Sequence, residues 1–284
     1  MVRTILGVVA ITYLTAIASS QSVHAGSKVY VGRQVASSQQ VTMDRIDHSA
    51  WDAILRKYVD DDGMVNYRAL HASSADMRAL DGYLQTLSTA NPQTRASRDG
   101  QLAFWINAYN AVTVRGILRE YPTTSIRNHT AKLWGYNIWK DLLLYVGGQP
   151  HSLEQIEHEI LRKMGEPRIH FAIVCASIGC PRLLNEAYDS SRVQQQLETN
   201  ARDFFSRSQN FRYDQRDRRF YLSSILSWFG EDFGSNQAAQ LRKTAQWLPD
   251  EAAQQAAAQN AVSVSFLDYN WNLNEQKSPR AARR

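Results

Sequence analysis

Apolar positions along the chain recur about every three to four residues in most segments and every second residue in a few short ones, and this contrast predicts the elements. Trp51, Ile54 and Leu55 predict a helix from Ala50 to Tyr58, stopped by Asp60-Asp61-Asp62-Gly63. Val65-Asn66-Tyr67 reads as a short extended piece, and residues 75–88 as a second amphipathic helix. From Gln101 to Leu118 apolar side chains run round the whole circumference, the mark of a central buried helix. Leu142 to Val146 reads as a strand closed by Gly147-Gly148, and Ser152-Leu-Glu-Gln155 has the form of a capping box opening a helix to about Lys163. Arg168 to Cys175 is rich in β-branched and aromatic residues and predicts a strand, with Ala176 to Pro181 as the loop at its exit. A helix over 191–207, a hairpin of Phe211–Tyr213 with Arg219–Leu222, helices over 223–233, 236–247 and 250–259, and a strand Val262–Phe266 complete the pattern. Many helices around a few strands from distant places, with no βαβ rhythm, predict an α+β fold, mostly helical with a small mixed or antiparallel sheet.

The ends add a destination. Arg3 precedes the apolar run Ile5–Ala18, which is short for a membrane span, and Val23-His24-Ala25 offers small residues at a cleavage point. Residues 1–25 therefore read as a signal peptide and the mature chain as periplasmic or secreted. Residues 26–45 read as a flexible leader, 46–275 as a single globular domain and 276–284 as a basic disordered tail. Part of the net charge of +5 sits in that tail, and no basic stripe interleaved with aromatics occurs elsewhere, which argues against nucleic acid as a partner. No later stretch is apolar enough for a membrane span. The three aspartates before Gly63 lack the ligand spacing of a calcium loop and read as a helix stop.

Chemistry centres on the only two cysteines, Cys175 and Cys180. The pair can be a disulfide, a nucleophile with a resolving thiol, or a nucleophile with an inert neighbour; its spacing is not the C-x-x-C of a thioredoxin-like site. In the helix after Ser152, Glu157 projects into the apolar arc of Leu153, Ile156, Ile160 and Leu161, with His158 just beyond its edge. A carboxylate there is costly unless paired, and such positions collect functional groups. On the predicted strand His170 and Cys175 lie roughly 16 Å apart on opposite faces, a poor arrangement for a nucleophile and its base. The permitted arrangement is Cys175 as nucleophile with His158 as base, Glu157 or an Asn orienting. Asn107 and Asn110, inside the buried helix, either tie down adjacent loops or support the reaction as orienting or oxyanion groups. His158, His170, Glu157 and Cys175 have no recognised metal-ligand spacing, and no metal or other cofactor is expected.

The stretches VDDDGMVNYRAL at 59–70, FWINAYNA at 104–111, VGG with SLEQIEHEILR within 146–162 and PRIHFAIVCASIGCP at 167–181 resemble the domain of unknown function 547 family. Tyr188, LSSILSWFGEDFG at 222–234 and FLDYNWNLN at 266–274 extend the resemblance over nearly all of the mature chain. Gly179 stands where bacterial relatives often carry serine, and Asn270 where an aspartate is usual. The resemblance implies a papain-like or transglutaminase-like fold and a Glu-His-Cys set that lands on Glu157, His158 and Cys175. It also includes plant relatives regarded as interaction proteins. Two functions are therefore expected to compete: an exported cysteine-dependent hydrolase acting on a peptide or other amide substrate, and a non-catalytic periplasmic binding or assembly module with a Cys175–Cys180 disulfide and a protein partner.

Overall fold

The computed structural model describes residues 28–131 and 135–277. Residues 1–25, read from the sequence as a signal peptide, and most of the stretch read as a basic tail lie outside the described residues. The chain is α+β, about half helical, with two three-stranded mixed sheets. In the first, β1 (Val29–Val31) pairs parallel with β2 (Leu142–Val146), which pairs antiparallel with β3 (Gln149–Ser152). In the second, β4 (Phe211–Asp214) and β5 (Arg219–Ser223) form the expected hairpin, and β6 (Ser263–Leu267) adds parallel to β5. The segment read as a flexible leader is built into the fold. Besides β1, Val41 bridges Ala90, and Asp44 accepts from the Ser97 backbone N–H at 2.8 Å.

Among the described residues five α-helices precede the site: α1 (Ser49–Tyr58), α2 (Tyr67–Ala72), α3 (Ser74–Leu87), α4 (Arg98–Arg119) and α5 (Ile138–Asp141). Serine caps set two of the starts. Ser73 accepts from Asp76 N–H, and Ser97 from Gly100 N–H. The long helix α4 is central, as its all-round apolar sequence requires, with Leu102, Phe104, Ile106, Ala108, Val112 and Ile117 without exposed surface. After β3 the Ser152 capping box forms, and a short α6 (Leu153–Gln155) runs into a π-helical turn over Ile156–Leu161 that carries Glu157 and His158. Such turns are rare and concentrate at functional sites. Five helices follow: α7 (Val193–Ser206), α8 (Ser224–Trp228), α9 (Gly230–Phe233), α10 (Gln237–Thr244) and α11 (Glu251–Ala258).

The interior divides into a large cluster around α4 and a smaller aromatic one, in which Phe171 packs on Phe204, Phe205 and Trp247. The segment 167–175 runs along the seam between them, and it is not a strand. Pro167 and the Glu166 side chain, which accepts from Arg168 N–H, start a 3₁₀ turn over Pro167–Phe171. Beyond the turn, the Asn110 amide takes over the ladder's work, donating to Ala172 C=O at 3.0 Å and accepting from Val174 N–H at 2.9 Å. A side chain from α4 thereby satisfies buried backbone groups that otherwise need a neighbouring strand. Asn107 does the same for Tyr188, donating to its C=O at 2.8 Å and accepting from its N–H at 2.9 Å. Both amides thus tie down loops.

The C-terminal stretch after β6 returns to clamp the cysteine loop. Ile178 and Gly179 N–H donate to Asn272 and Asn270 C=O, and Asn274 N–H donates to Ala176 C=O. Gly63 lets the 60–63 turn press on the same region. Its φ is +78°, and a Cβ there would lie 2.5 Å from both Arg182 Cβ and Leu183 N. Gly63→Ala is expected to cost at least about 2 kcal/mol through left-handed strain and overpacking, measured by denaturant unfolding.

Candidate active site

Cys175, at the end of the Asn110-held segment, meets Cys180 across the loop. The two sulfurs are 2.6 Å apart, and the Cys175 N–H donates to Cys180 Sγ at 3.0 Å. Tyr269, on the returning C-terminal stretch, sets its hydroxyl 3.2 Å from Cys175 Sγ, 3.0 Å from Cys180 Sγ and 2.9 Å from Ser177 Oγ. Ser177 Oγ is in turn 3.3 Å from Cys180 Sγ. Ala176, immediately after Cys175, has φ +56°, a left-handed conformation that costs a side-chain-bearing residue energy and collects at functional turns.

Burial opposes a charge on Cys180, but the hydrogen bonds from Cys175, Ser177 and Tyr269 outweigh it and bring its pKa down to about 6. The bond to Cys180, with burial, pushes Cys175 up. The pair therefore shares one proton at neutral pH, with the negative charge on the sulfur that accepts the backbone N–H. Burial and the neighbouring sulfurs hold the Tyr269 hydroxyl protonated, so it remains a donor.

Both sulfurs open on a cavity of about 160 Å³. Glu157 and His170 line it too, together with Tyr109, Ile173, Ile225 and Phe229. Burial raises the pKa of Glu157 against the opposing effects of His158 and of Tyr109, whose hydroxyl donates to Oε2 at 3.0 Å. His170 is buried, stacks on Phe229 at 4.3 Å between ring centres and bonds through Nε2 to Asp232 Oδ2 at 2.7 Å. Burial brings its pKa down to about 4 although Asp232 pulls the other way, so the imidazole is neutral at neutral pH. Arg162 completes the set, with Nε 2.7 Å from Asp232.

The structure thus brings Cys175, Cys180, Glu157 and His170 to one cavity and leaves His158 out. His158 is exposed, contacts Arg162 through Nδ1 at 3.2 Å and does not line the cavity. One residue along a helical turn rotates a side chain by roughly 100°, which carries His158 outward where Glu157 points in. His170 reaches the cavity because the segment is a 3₁₀ turn, so the opposite-face geometry of a strand does not apply. Asn107 and Asn110 support the site only through the loops they hold. Asn270, the other departure from the resembled pattern besides Gly179, bonds its own Asn272 N–H at 3.0 Å and lies outside the cavity lining. Tyr109, Ser177, Asp232, Tyr269 and the tryptophans 139, 228 and 271 were not legible as site residues, since nothing in their local sequence marks them. Among the described residues no group of three or more His, Cys, Asp or Glu is placed to hold a metal ion.

Residues 93–205 match the model of the family described as protein of unknown function, DUF547. The chain carries a DUF547 domain. The matched span holds Tyr109, Glu157, His158, His170, Cys175 and Cys180, so the dithiol and its acid belong to the DUF547 region. Asp232, Tyr269 and the tryptophans 228 and 271 come from the residues that follow. No curated protein and no solved structure matches the chain. Among the described residues, no helix is long and apolar enough to cross a membrane.

Two histidines, the buried His170 and the half-buried His48, make the stability of the protein pH-dependent. His48, bonded to Tyr83 at 2.7 Å, is also brought down to about 4 by burial. Each has a folded pKa below its unfolded value of about 6.5, so the unfolded chain binds the extra protons first. Their contribution is complete above pH ~6.5 and is lost as pH falls toward ~4, at up to about 2.7 kcal/mol per pH unit for the two together. Unfolding followed across this range is expected to show the fall, with a shallower slope in His48→Gln.

Proposed function

We propose that the protein is a cysteine-dependent acyl-transfer enzyme, a hydrolase of amide or ester bonds, with Cys175 as nucleophile. The observation that carries this reading is the Cys175 thiol held 2.6 Å from the Cys180 sulfur at the wall of the aromatic-lined cavity. A thiol becomes a competent nucleophile when a base stands against it, and here the base is a second sulfur whose pKa lies near 6. As Cys175 adds to the substrate carbonyl carbon, its proton passes to Cys180. Glu157, a reluctant carboxylate, gives its proton to the departing amine or alcohol as the carbonyl–heteroatom bond breaks. Water then adds to the thioester and returns a proton to Glu157. The Cys175 sulfur leaves and takes its own proton back from Cys180, so the cycle closes with water consumed. The neutral His170, fixed by Asp232, supplies a polar edge for the substrate. This assigns the histidine role within the cavity to His170 in place of His158.

The signal-like residues 1–25 support a site of action outside the cytoplasm. The test is acylation of the reduced protein by an activated nitrophenyl ester. A stoichiometric burst of nitrophenolate and an acyl adduct mapped to Cys175 are expected; absence of both contradicts the reading.

The same sulfur contact favours one other reading, a binding module in which the pair is oxidised to a structural disulfide. That form has no nucleophile, and reductant would not create a burst.

A further inference from the structure

We infer that the cavity takes an uncharged, flat apolar group, so that the substrates are acyl donors bearing a phenyl-like side chain on the acyl part. The substrate assignment rests on the acyl-transfer reading of Cys175; the ligand class rests on the cavity itself. One wall is aromatic and assembled from three separate segments: Trp139 from α5, Trp228 from α8, and Tyr269 with Trp271 from the C-terminal stretch. Trp271 lies 4.5 Å from Tyr269, 5.8 Å from Trp228 and 6.3 Å from Trp139 between ring centres. Trp228 keeps 48% of its surface exposed, an unusual outlay of apolar area beside a cavity mouth. Tyr269 connects this wall to the chemistry, because its hydroxyl touches both sulfurs while its ring packs 4.9 Å from Trp228. A ring seated on the wall is therefore within one tyrosine's length of Cys175.

Charge excludes the other occupants. Among the described residues no lysine or arginine lines the cavity; Arg127 stacks over the Trp271 ring, and Arg162, over the Phe229 ring, is already paired with Asp232, so a carboxylate or phosphate finds little there to neutralise it. His170 is neutral, burial disfavours the charged form of Glu157, and the charge on the sulfur pair is already held by the Cys175 N–H and the Ser177 and Tyr269 hydroxyls, so a cationic ligand finds little to pair with. A sugar would need free hydrogen-bonding groups along the wall. The hydroxyl and imidazole groups there are engaged, Tyr109 with Glu157, His170 with Asp232 and Tyr269 with the sulfurs, so few groups are free for the several hydroxyls of a sugar. What remains is aromatic and aliphatic surface, which favours offset or edge contacts with a flat apolar ring.

Calorimetric titration of the reduced full chain with phenylacetamide, glucose and succinate tests the ligand class. Phenylacetamide is expected to bind about tenfold or more tighter than either of the others, and Trp228→Ala to lose roughly tenfold of that affinity. Trp228→Phe, which keeps a ring in the same place, should retain most of it. Glucose or succinate binding as tightly, or phenylacetamide binding unaffected by Trp228→Ala, overturns the inference. Nitrophenyl esters separate it from the reaction. The phenylacetyl ester should outpace the acetyl and succinyl esters in kcat/KM, and Trp228→Ala should remove this preference. Equal rates with all three esters defeat the inference and leave acyl transfer standing. Phenylacetamide binding without acylation by any ester defeats acyl transfer and leaves the ligand class standing.

Discussion

Cys175→Ala is expected to lower hydrolysis of nitrophenyl phenylacetate by about a thousandfold or more while the protein stays folded. The attacking sulfur disappears, and Cys180, the more buried sulfur and held by Ser177 and Tyr269, is poorly placed to replace it. The fold should survive because Cys175 is only partly buried and its backbone N–H, which Ala keeps, still bonds Cys180 Sγ. Circular dichroism and the unfolding midpoint should stay close to those of the parent. Cys180→Ala provides the contrast. It leaves the nucleophile but removes the sulfur that accepts its proton, so the rate should fall at neutral pH and recover as pH rises toward the ordinary thiol pKa of about 8.5. A Cys180→Ala protein with an unchanged pH profile would remove Cys180 from the mechanism.

Asn110→Ala is expected to be among the most destabilising single substitutions in the α4 helix, at about 3–5 kcal/mol. Truncation leaves Ala172 C=O and Val174 N–H without their partner in a buried seam, where each unmatched backbone group costs roughly 1–3 kcal/mol. Asn110→Asp keeps an acceptor for Val174 N–H but loses the donor to Ala172 C=O, and should fall between parent and Ala. Urea unfolding measures all three. Because the segment ends at Cys175, the same substitution should slow alkylation of the dithiol or scatter its pH dependence even where the protein remains folded.

The helices were legible because their signals are local. The Ser152 capping box predicted the helix that carries Glu157, and the all-round apolar run of α4 predicted its central burial. Glu157 stood out for the same reason, as a carboxylate inside an apolar arc. Arg168 to Cys175 was misread as a strand because Ile169, Phe171, Ile173 and Val174 fit a pleated surface equally well. What decides the segment is Pro167 with Glu166 at its start and an Asn side chain from a distant helix. That error displaced the histidine, since strand geometry puts His170 and Cys175 on opposite faces. Ordered structure ahead of Ile46 was missed because a Ser- and Gln-rich stretch carries no period, yet Val29–Val31 finds a partner in β2. The aromatic wall was illegible for a different reason. Trp139, Trp228 and Trp271 are far apart in the chain, and an isolated tryptophan reads as core until the C-terminal stretch folds back onto the cysteine loop.

The most direct measurement is iodoacetamide labelling of the fully reduced protein across pH, with each cysteine followed by mass spectrometry. The account predicts that labelling of the pair rises through about pH 6, where its first proton leaves from Cys180, while Cys175, held protonated by its partner, follows only at higher pH. A first rise centred near the free-thiol value of about 8.5, or two cysteines that stay unlabelled after reduction, would contradict it.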